Sequence, residues 1–138
     1  MLTAVADTNI YVSAFNFKGT PAQVLEGAQE GRFRIVISDE ILNEITRVLQ
    51  RKFLWHGVKL AQVRPTILAF AELVEPQQRI DAVAADPDDN AILECAVQAG
   101  AEYIISGDSH LLDMKTFRSI RILSAREFIA VLAQESPA

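Results

Sequence analysis

Short apolar runs alternate with amphipathic stretches along the chain. Four runs have the length and character of buried strands, at residues 2–6, 33–37, 103–105 and 120–123. The stretches between them carry apolar residues at helical spacing, and no hairpin signal separates neighbouring strands. This order predicts an α/β protein, a three-layer α/β/α sandwich with a central parallel sheet of four or five strands.

The boundaries of the helices are indicated by capping residues and prolines. Thr20 and Gln23 have the spacing of a capping box, so we predict a helix over residues 21–30. Ser38 precedes a second helix, whose apolar stripe is Ile41, Leu42, Ile45, Val48 and Leu49. Residues 60–74 also have helical spacing, but Pro65 must kink or restart that helix.

Three further helices are predicted in the second half of the chain. Asp86 and Pro87 have the pattern of a cap followed by a first-turn proline, and this helix should extend to about Gly100. A short helix is expected at Leu111 and Leu112, and a last one at residues 125–132. We predict one domain over residues 1–133, followed by a flexible tail at 134–138.

The composition and charge of the chain limit where the protein is expected to work and what it is expected to bind. No run approaches the roughly 20 apolar residues of a membrane span, and the first residues lack the pattern of a secretory signal, so a cytoplasmic protein without membrane contact is predicted. Cys95 is the single cysteine and is expected to be buried. The net charge of −5 argues against a protein that coats nucleic acid by charge alone, but it is compatible with a nuclease whose acids hold metal ions.

Carboxylates follow two of the predicted strands and open one of the predicted helices. Asp7 and Asp108 each come directly after a strand, where the carboxyl ends of a parallel sheet place ligands. Asp89 lies in a first helical turn near the inward face, and Glu44 lies at the margin of an apolar stripe. Acids gathered in this way repel one another unless a divalent cation joins them. Oxygen ligands favour Mg²⁺ or Mn²⁺, which suit phosphoryl-transfer chemistry.

Each of these acids also has a purely structural interpretation. Asp7 could bind only loop amides, and Glu44 could pair only with Arg47 on a solvated helix face. Asp89 and Asp108 could serve as helix-start residues.

The chain resembles the PIN-domain family, in particular bacterial PIN proteins assigned as toxins of toxin–antitoxin pairs. The resemblance rests on four segments in order, which are VADTNIYVSAF from Val5, SDEILNEITRVLQRKF from Ser38, DPDDNAILECA from Asp86 and YIISGDSHLL from Tyr103. It implies that Asp7, Glu44, Asp89 and Asp108 bind Mg²⁺ or Mn²⁺ and cleave single-stranded RNA. It also implies a possible antitoxin partner and a homodimer.

The resemblance assigns weaker roles to other residues. Thr8, Asn9 and Ser106 would support the metal site, while Arg47 and Arg51 share the helix margin of Glu44 and are predicted to contact RNA. Many relatives carry another acid where this chain has His110, so the number of ions, one or two, stays open. His110 could bind metal, contact phosphate or face solvent.

Other functions explain these residues less well. An aspartate-based phosphotransferase needs a second Asp where the chain has Asn9, and it leaves Glu44 without a task. A receiver domain expects an acidic pair and a late-strand Lys, and a nicotinamide-binding domain expects a Gly-x-Gly-x-x-Gly turn after the first strand. A non-catalytic or housekeeping RNA-binding module is the remaining alternative, and dependence of its activity on metal and on Asp7 would separate the two.

Overall fold

The computed structural model describes residues 1–82 and 87–135. Its strands are β1 (Thr3–Ala6), β2 (Arg34–Ile37), β3 (Ala71–Leu73), β4 (Tyr103–Ile105), β5 (Thr116–Phe117) and β6 (Ile120–Leu123). Its helices are α1 (Thr8–Asn16), α2 (Thr20–Gln29), α3 (Asp39–Phe53), α4 (Gly57–Ala61), α5 (Val63–Leu68), α6 (Pro87–Ala99), α7 (Ser109–Met114) and α8 (Ala125–Glu135). The predicted cap at Asp86 and residues 136–138 of the predicted tail lie outside the described residues.

The strands form one sheet in the order β3-β2-β1-β4-β6-β5, flanked by helices. The α/β class is confirmed, but the described residues form six strands instead of the predicted four or five. The additional strands are β3 and β5, which are three and two residues long. All pairings are parallel except that of β5 with β6. Strands this short depend on their neighbours and leave little periodic signal in the sequence.

The order of the strands reverses direction beside β1. The chain adds β2 and β3 on one side of β1, and then crosses to add β4 and β6 on the other side. Val5 pairs with Val36 of β2 and with Ile104 of β4, so β1 lies between them. A crevice opens at the carboxyl ends of such strands, because the connections leave in opposite directions there. Asp7 and Asp108 follow β1 and β4, and both therefore lie at this crevice.

The core lies between the sheet and its helices. α6 packs on β1, β2 and β4, and it also contacts α3. The predicted stripe of α3 is buried at Ile41, Leu42, Ile45 and Leu49, while Val48 is partly buried. Cys95 is fully buried, as predicted. At the opposite end of the core, the Phe128 ring meets the rings of Phe33 and Tyr103 edge to face.

Three local predictions were wrong. Residues 8–16 form helix α1, where no helix was predicted. Residues 60–74 contain α5 and then strand β3, so the helical spacing does not continue past Leu68. α2 begins at Thr20, and its N-cap is Gly19, so Thr20 does not form the predicted capping box. Gly19 has a φ of 146°, in a region that favours glycine, and α2 has no side-chain capping bond.

No helix in the described parts of the chain has both the length and the apolar character needed to cross a membrane.

Candidate metal centre

Asp7 is the buried acid of the crevice. It is 4% exposed and caps α1, since its Oδ1 accepts a hydrogen bond of 3.1 Å from the backbone N–H of Ile10. Its own backbone N–H donates to the carbonyl of Ile105 at the end of β4. These bonds fix the carboxylate at the junction of β1 and β4.

Ser106 connects the two strand-end acids. Its hydroxyl is fully buried, donates to Oδ2 of Asp7 and accepts a 2.9 Å hydrogen bond from the backbone N–H of Asp108. A hydroxyl can do both at once, because it carries one donor and two acceptor sites. Ser106 therefore holds Asp7 and the start of the Asp108 turn in a fixed relation.

The pKa of Asp7 is raised from its ordinary value to about 6. Burial is the largest cause, and the charge of Asp108 adds to it. The hydrogen bonds from Ser106, Ile10 and Gly107 act in the opposite direction and lower the pKa. The raised value shows that the site without a cation disfavours a negative charge on this carboxylate.

Asp89, Asp108 and His110 form the tightest group of candidate ligands. One donor atom from each lies within 4.8 Å of the others, which is close enough for all three to reach one cation. Asp89 is 6% exposed, at the start of α6. Asp108 caps α7 by accepting from the backbone N–H of His110 at 2.7 Å, and Nδ1 of His110 lies 3.5 Å from its Oδ1.

The remaining predicted residues are arranged around this group. A cleft of about 50 Å³ is lined by Asp7, Thr8, Asn9, Glu44, Asp88, Asp89, Ile92 and Asp108, and we call it the acidic cleft. Arg47 lines an adjoining pocket of about 250 Å³ that shares Thr8, Glu44 and Asp88 with the cleft. It also forms an ion pair of 2.8 Å with Glu44. Arg51 is exposed farther along α3 and is not among the residues that line the cleft in the described structure.

The donor set fits a divalent cation. Carboxylate oxygens dominate the cleft, and His110 adds one imidazole, which Mn²⁺ accepts more readily than Mg²⁺ does. Arg47 lies at the cleft margin and pairs with Glu44, which is one of the five acids that line the cleft. A bound cation would balance their charge and also lower the raised pKa of Asp7.

A family model described as PIN domain matches residues 3–110, which is more than half of the chain. The chain belongs to the PIN domain family. Proteins of this family are generally metal-dependent nucleases, in agreement with an acidic cleft at the switch point of the sheet. Comparison with curated proteins gives no significant match.

Solved structures similar to this PIN domain support the fold. The crystal structure of PAE2754 from Pyrobaculum aerophilum has a TM-score of 0.64 and 15% identity, over 96% of this chain and 90% of that one. The structure of VapBC2 from Rickettsia felis bound to a DNA fragment from their promoter has a TM-score of 0.59 and 16% identity, over 88% of this chain and 97% of that one. At these identities, the likeness concerns the architecture.

Sequence reasoning missed one acid of this PIN domain's cleft and one buried acid outside the cleft. Asp88 lines the acidic cleft, although its place in the first turn of α6 indicates only a helix-start residue. Glu94 is buried and accepts a 2.9 Å hydrogen bond from the backbone N–H of Ile80, which anchors the segment before α6. The signal for Glu94 was its place among apolar residues on one face of α6, where an acid requires a buried partner.

Proposed function

We propose that this PIN domain is an endoribonuclease that cleaves single-stranded RNA with Mg²⁺ or Mn²⁺. The observation that carries the proposal is the convergence of Asp89, Asp108 and His110, with donor atoms within 4.8 Å, beside the buried Asp7. Five of the eight residues that line the cleft are Asp or Glu, and acids gathered this closely repel one another. They are a suitable arrangement for holding a cation against the phosphate of a substrate.

The residues have distinct roles in this proposal. Asp89, Asp108 and His110 would hold the principal ion, and Asp7 would complete the set from the floor of the cleft. Ser106 positions Asp7 by its hydrogen bond. Glu44 faces the cleft from α3, where it can accept a proton or orient a water molecule, and Arg47 beside it can contact the RNA backbone.

A divalent cation held by Asp89, Asp108 and His110 would supply charge stabilisation at the phosphate and would lower the pKa of a water molecule. The chain itself supplies orientation. α1 and α7 each begin at an acid of the cleft, so Asp7 and Asp108 are held by backbone N–H groups and cannot swing away from the site. Preorganisation of this kind reduces the reorganisation that would otherwise accompany the reaction.

We further propose that the protein is a cytoplasmic toxin that pairs with an antitoxin and forms a homodimer. One similar structure carries the name VapBC2 and was solved with promoter DNA. Together with the family assignment, that name supports a toxin–antitoxin role for this chain. Co-purification with the product of an adjacent small reading frame, and its inhibition of RNA cleavage, would test the pairing.

The decisive experiment for the nuclease is a cleavage assay with two matched variants. Asp108→Asn removes one charge from the cleft and retains a side chain that can cap α7. Asp113→Asn removes the same charge from an exposed position on the same helix. We expect the parent and Asp113→Asn to cleave single-stranded RNA with Mn²⁺ and to stop in chelator, while Asp108→Asn is slower by about a hundredfold or more.

Two results would contradict the proposal. Cleavage that persists in chelator would show that the reaction does not need the ion. RNA binding without cleavage, unchanged in folded Asp108→Asn, would favour the non-catalytic binding module instead.

A further inference from the structure

Exposed apolar side chains concentrate at one end of helices α1 and α3. Phe17 follows α1 and is 62% exposed, while Leu54 and Val58 follow α3 and are 76% and 77% exposed. The Phe17 ring also meets the ring of Phe53 edge to face. Isolated exposed apolar residues are common, but a contiguous group of them marks a surface that binds something.

An open apolar cavity lies beside these residues. It has a volume of about 330 Å³, and its lining consists of Phe15, Trp55, Lys59, Gln62, Val63 and Thr66, which we call the aromatic platform. The Phe15 and Trp55 rings lie 6.1 Å apart, and Nζ of Lys59 lies 4.0 Å from the centroid of the Trp55 ring. The platform therefore combines aromatic surface, a cation and polar groups that can form hydrogen bonds.

The stretches of chain that carry the platform contain basic residues and no acids, although Arg47 and Arg64 pair with Glu44 and Asp39. The sequence contains no Asp or Glu between Glu44 and Glu72, whereas it contains Arg47, Arg51, Lys52, Lys59 and Arg64 there. It also contains no acid between Asp7 and Glu26, a stretch that includes Lys18. Such a surface attracts a polyanion.

The platform is joined to the acidic cleft by α3. Glu44 faces the cleft from the first half of this helix, and Arg47 and Arg51 follow at helical spacing on the same side. Nine residues separate Glu44 from the end of the helix at Phe53, a distance of about 14 Å at the rise of an α-helix. A strand that leaves the cleft along this path would pass two arginines before it reaches Trp55.

We propose that single-stranded RNA bound at the acidic cleft extends along α3 and stacks a base on the aromatic platform. This proposal rests on the proposed ribonuclease function and adds a second binding region for the same substrate. Aromatic rings beside cations are the usual means of binding single strands, because every base offers a flat face and every nucleotide a phosphate. Gln62 and Thr66 can bind the edge of the stacked base, and Lys59 can bind its phosphate.

A second copy of the chain fits this surface less well. A symmetric dimer through the platform would place two basic surfaces against each other, because Lys59 lines the platform in each copy, and like charges oppose such contact. RNA matches both the apolar and the cationic parts of the surface.

The fluorescence of Trp55 tests the proposal, because it is the only tryptophan in the sequence. The full chain is titrated in the presence of Mn²⁺ with a non-hydrolysable analogue of an unstructured RNA of about eight nucleotides, which is within the site sizes of single-strand binders. The analogue separates binding from cleavage. We expect the RNA to quench Trp55 emission and a free mononucleotide to quench it much less at equal concentration. Binding without quenching would place the RNA elsewhere and overturn the proposal, while leaving the nuclease function intact.

Variants show whether the platform contributes affinity. Lys59→Gln and Lys52→Gln should each weaken RNA binding severalfold and reduce the slope of log affinity against log salt by about 0.7. Trp55→Leu should weaken binding about tenfold, as measured by fluorescence anisotropy of labelled RNA. Arg126→Gln, at an exposed position of α8, removes the same charge away from the platform and should have little effect.

Two outcomes would contradict the proposal that RNA binds the platform. Equal affinities for Lys59→Gln, Lys52→Gln and Arg126→Gln would show that general charge explains the binding. Trp55 emission that changes with protein concentration before RNA is added would show that a second copy covers the surface instead.

Discussion

Asp7 combines nearly complete burial with a neighbouring carboxylate, and the two together make it sensitive to pH. Its pKa is about 6 in the folded protein and 3.8 in a reference state, so the folded protein binds more protons between these values. In chelator, the free energy of unfolding should therefore fall as pH rises from about 4 to 6, by up to about 3 kcal/mol.

Asp7→Asn should remove this pH dependence and, above pH 6 without metal, should be more stable than the parent. Denaturant unfolding in chelator at several pH values measures the difference between the two proteins. The same slope in both would show that another group titrates. The amide can still accept the hydrogen bond from Ile10 that caps α1, so the variant should fold.

Ser106 offers a second test at the level of a single residue. Ser106→Ala removes the hydroxyl that connects Asp7 with the Asp108 turn, and we expect Mn²⁺ affinity to fall by about 10–100-fold, as for other residues that support metal ligands. Ser124→Ala is the matched control, because its hydroxyl accepts from the backbone N–H of Glu127 at the start of α8. Calorimetric titration with Mn²⁺ should find an unchanged affinity in the control, and equal losses in both variants would refute a specific role for Ser106.

The sequence predicts which acids line the cleft better than it predicts how these acids are arranged. Asp7 and Asp108 follow strands, and parallel strands bring their carboxyl ends together, so their proximity follows from the fold class. The approach of His110 to Asp108 and Asp89 depends on how α7 begins, which one short turn decides. The bond from Ser106 to Asp7 joins residues 99 positions apart and has no local signal.

At the level of elements, the helices with strong apolar stripes were predictable and the shortest strands were not. β3 exists because residues Ala71–Leu73 pair with β2, while their sequence continues the helical spacing that precedes them. α1 was missed because Asp7 was read only as the end of a strand, although it also begins a helix. In both cases, tertiary contacts decide between local alternatives.

The end of α3 provides a prediction about stability. Leu54 is its C-cap with a φ of 58°, in the left-handed region that disfavours residues with a Cβ, and its side chain is 76% exposed. Leu54→Gly should raise the free energy of unfolding by about 0.5–1 kcal/mol, because the strain removed exceeds the flexibility added to the unfolded chain. Leu54→Ala is the control, since it removes the same exposed side chain but keeps the Cβ, and urea unfolding of both variants measures the difference. A glycine variant no more stable than the alanine variant would contradict the assigned strain.

At the level of the whole molecule, the fold separates two kinds of surface. The switch point of the sheet gathers acids, and the far ends of α1 and α3 gather aromatic and basic residues. An acidic protein can therefore attract RNA at one surface and hold cations at another. The net charge of −5 does not reveal this division, because it sums the charges of both surfaces.

Thermal unfolding with and without Mn²⁺ shows whether the acidic cleft binds a divalent cation. A ligand that binds only the folded protein raises the midpoint, by about 2.7 kcal/mol of stabilisation when its concentration is a hundred times Kd. We expect Mn²⁺ to raise the midpoint of the parent and of Asp113→Asn by several degrees and that of Asp108→Asn by much less. Equal increases in all three proteins would show that the cation binds outside the acidic cleft.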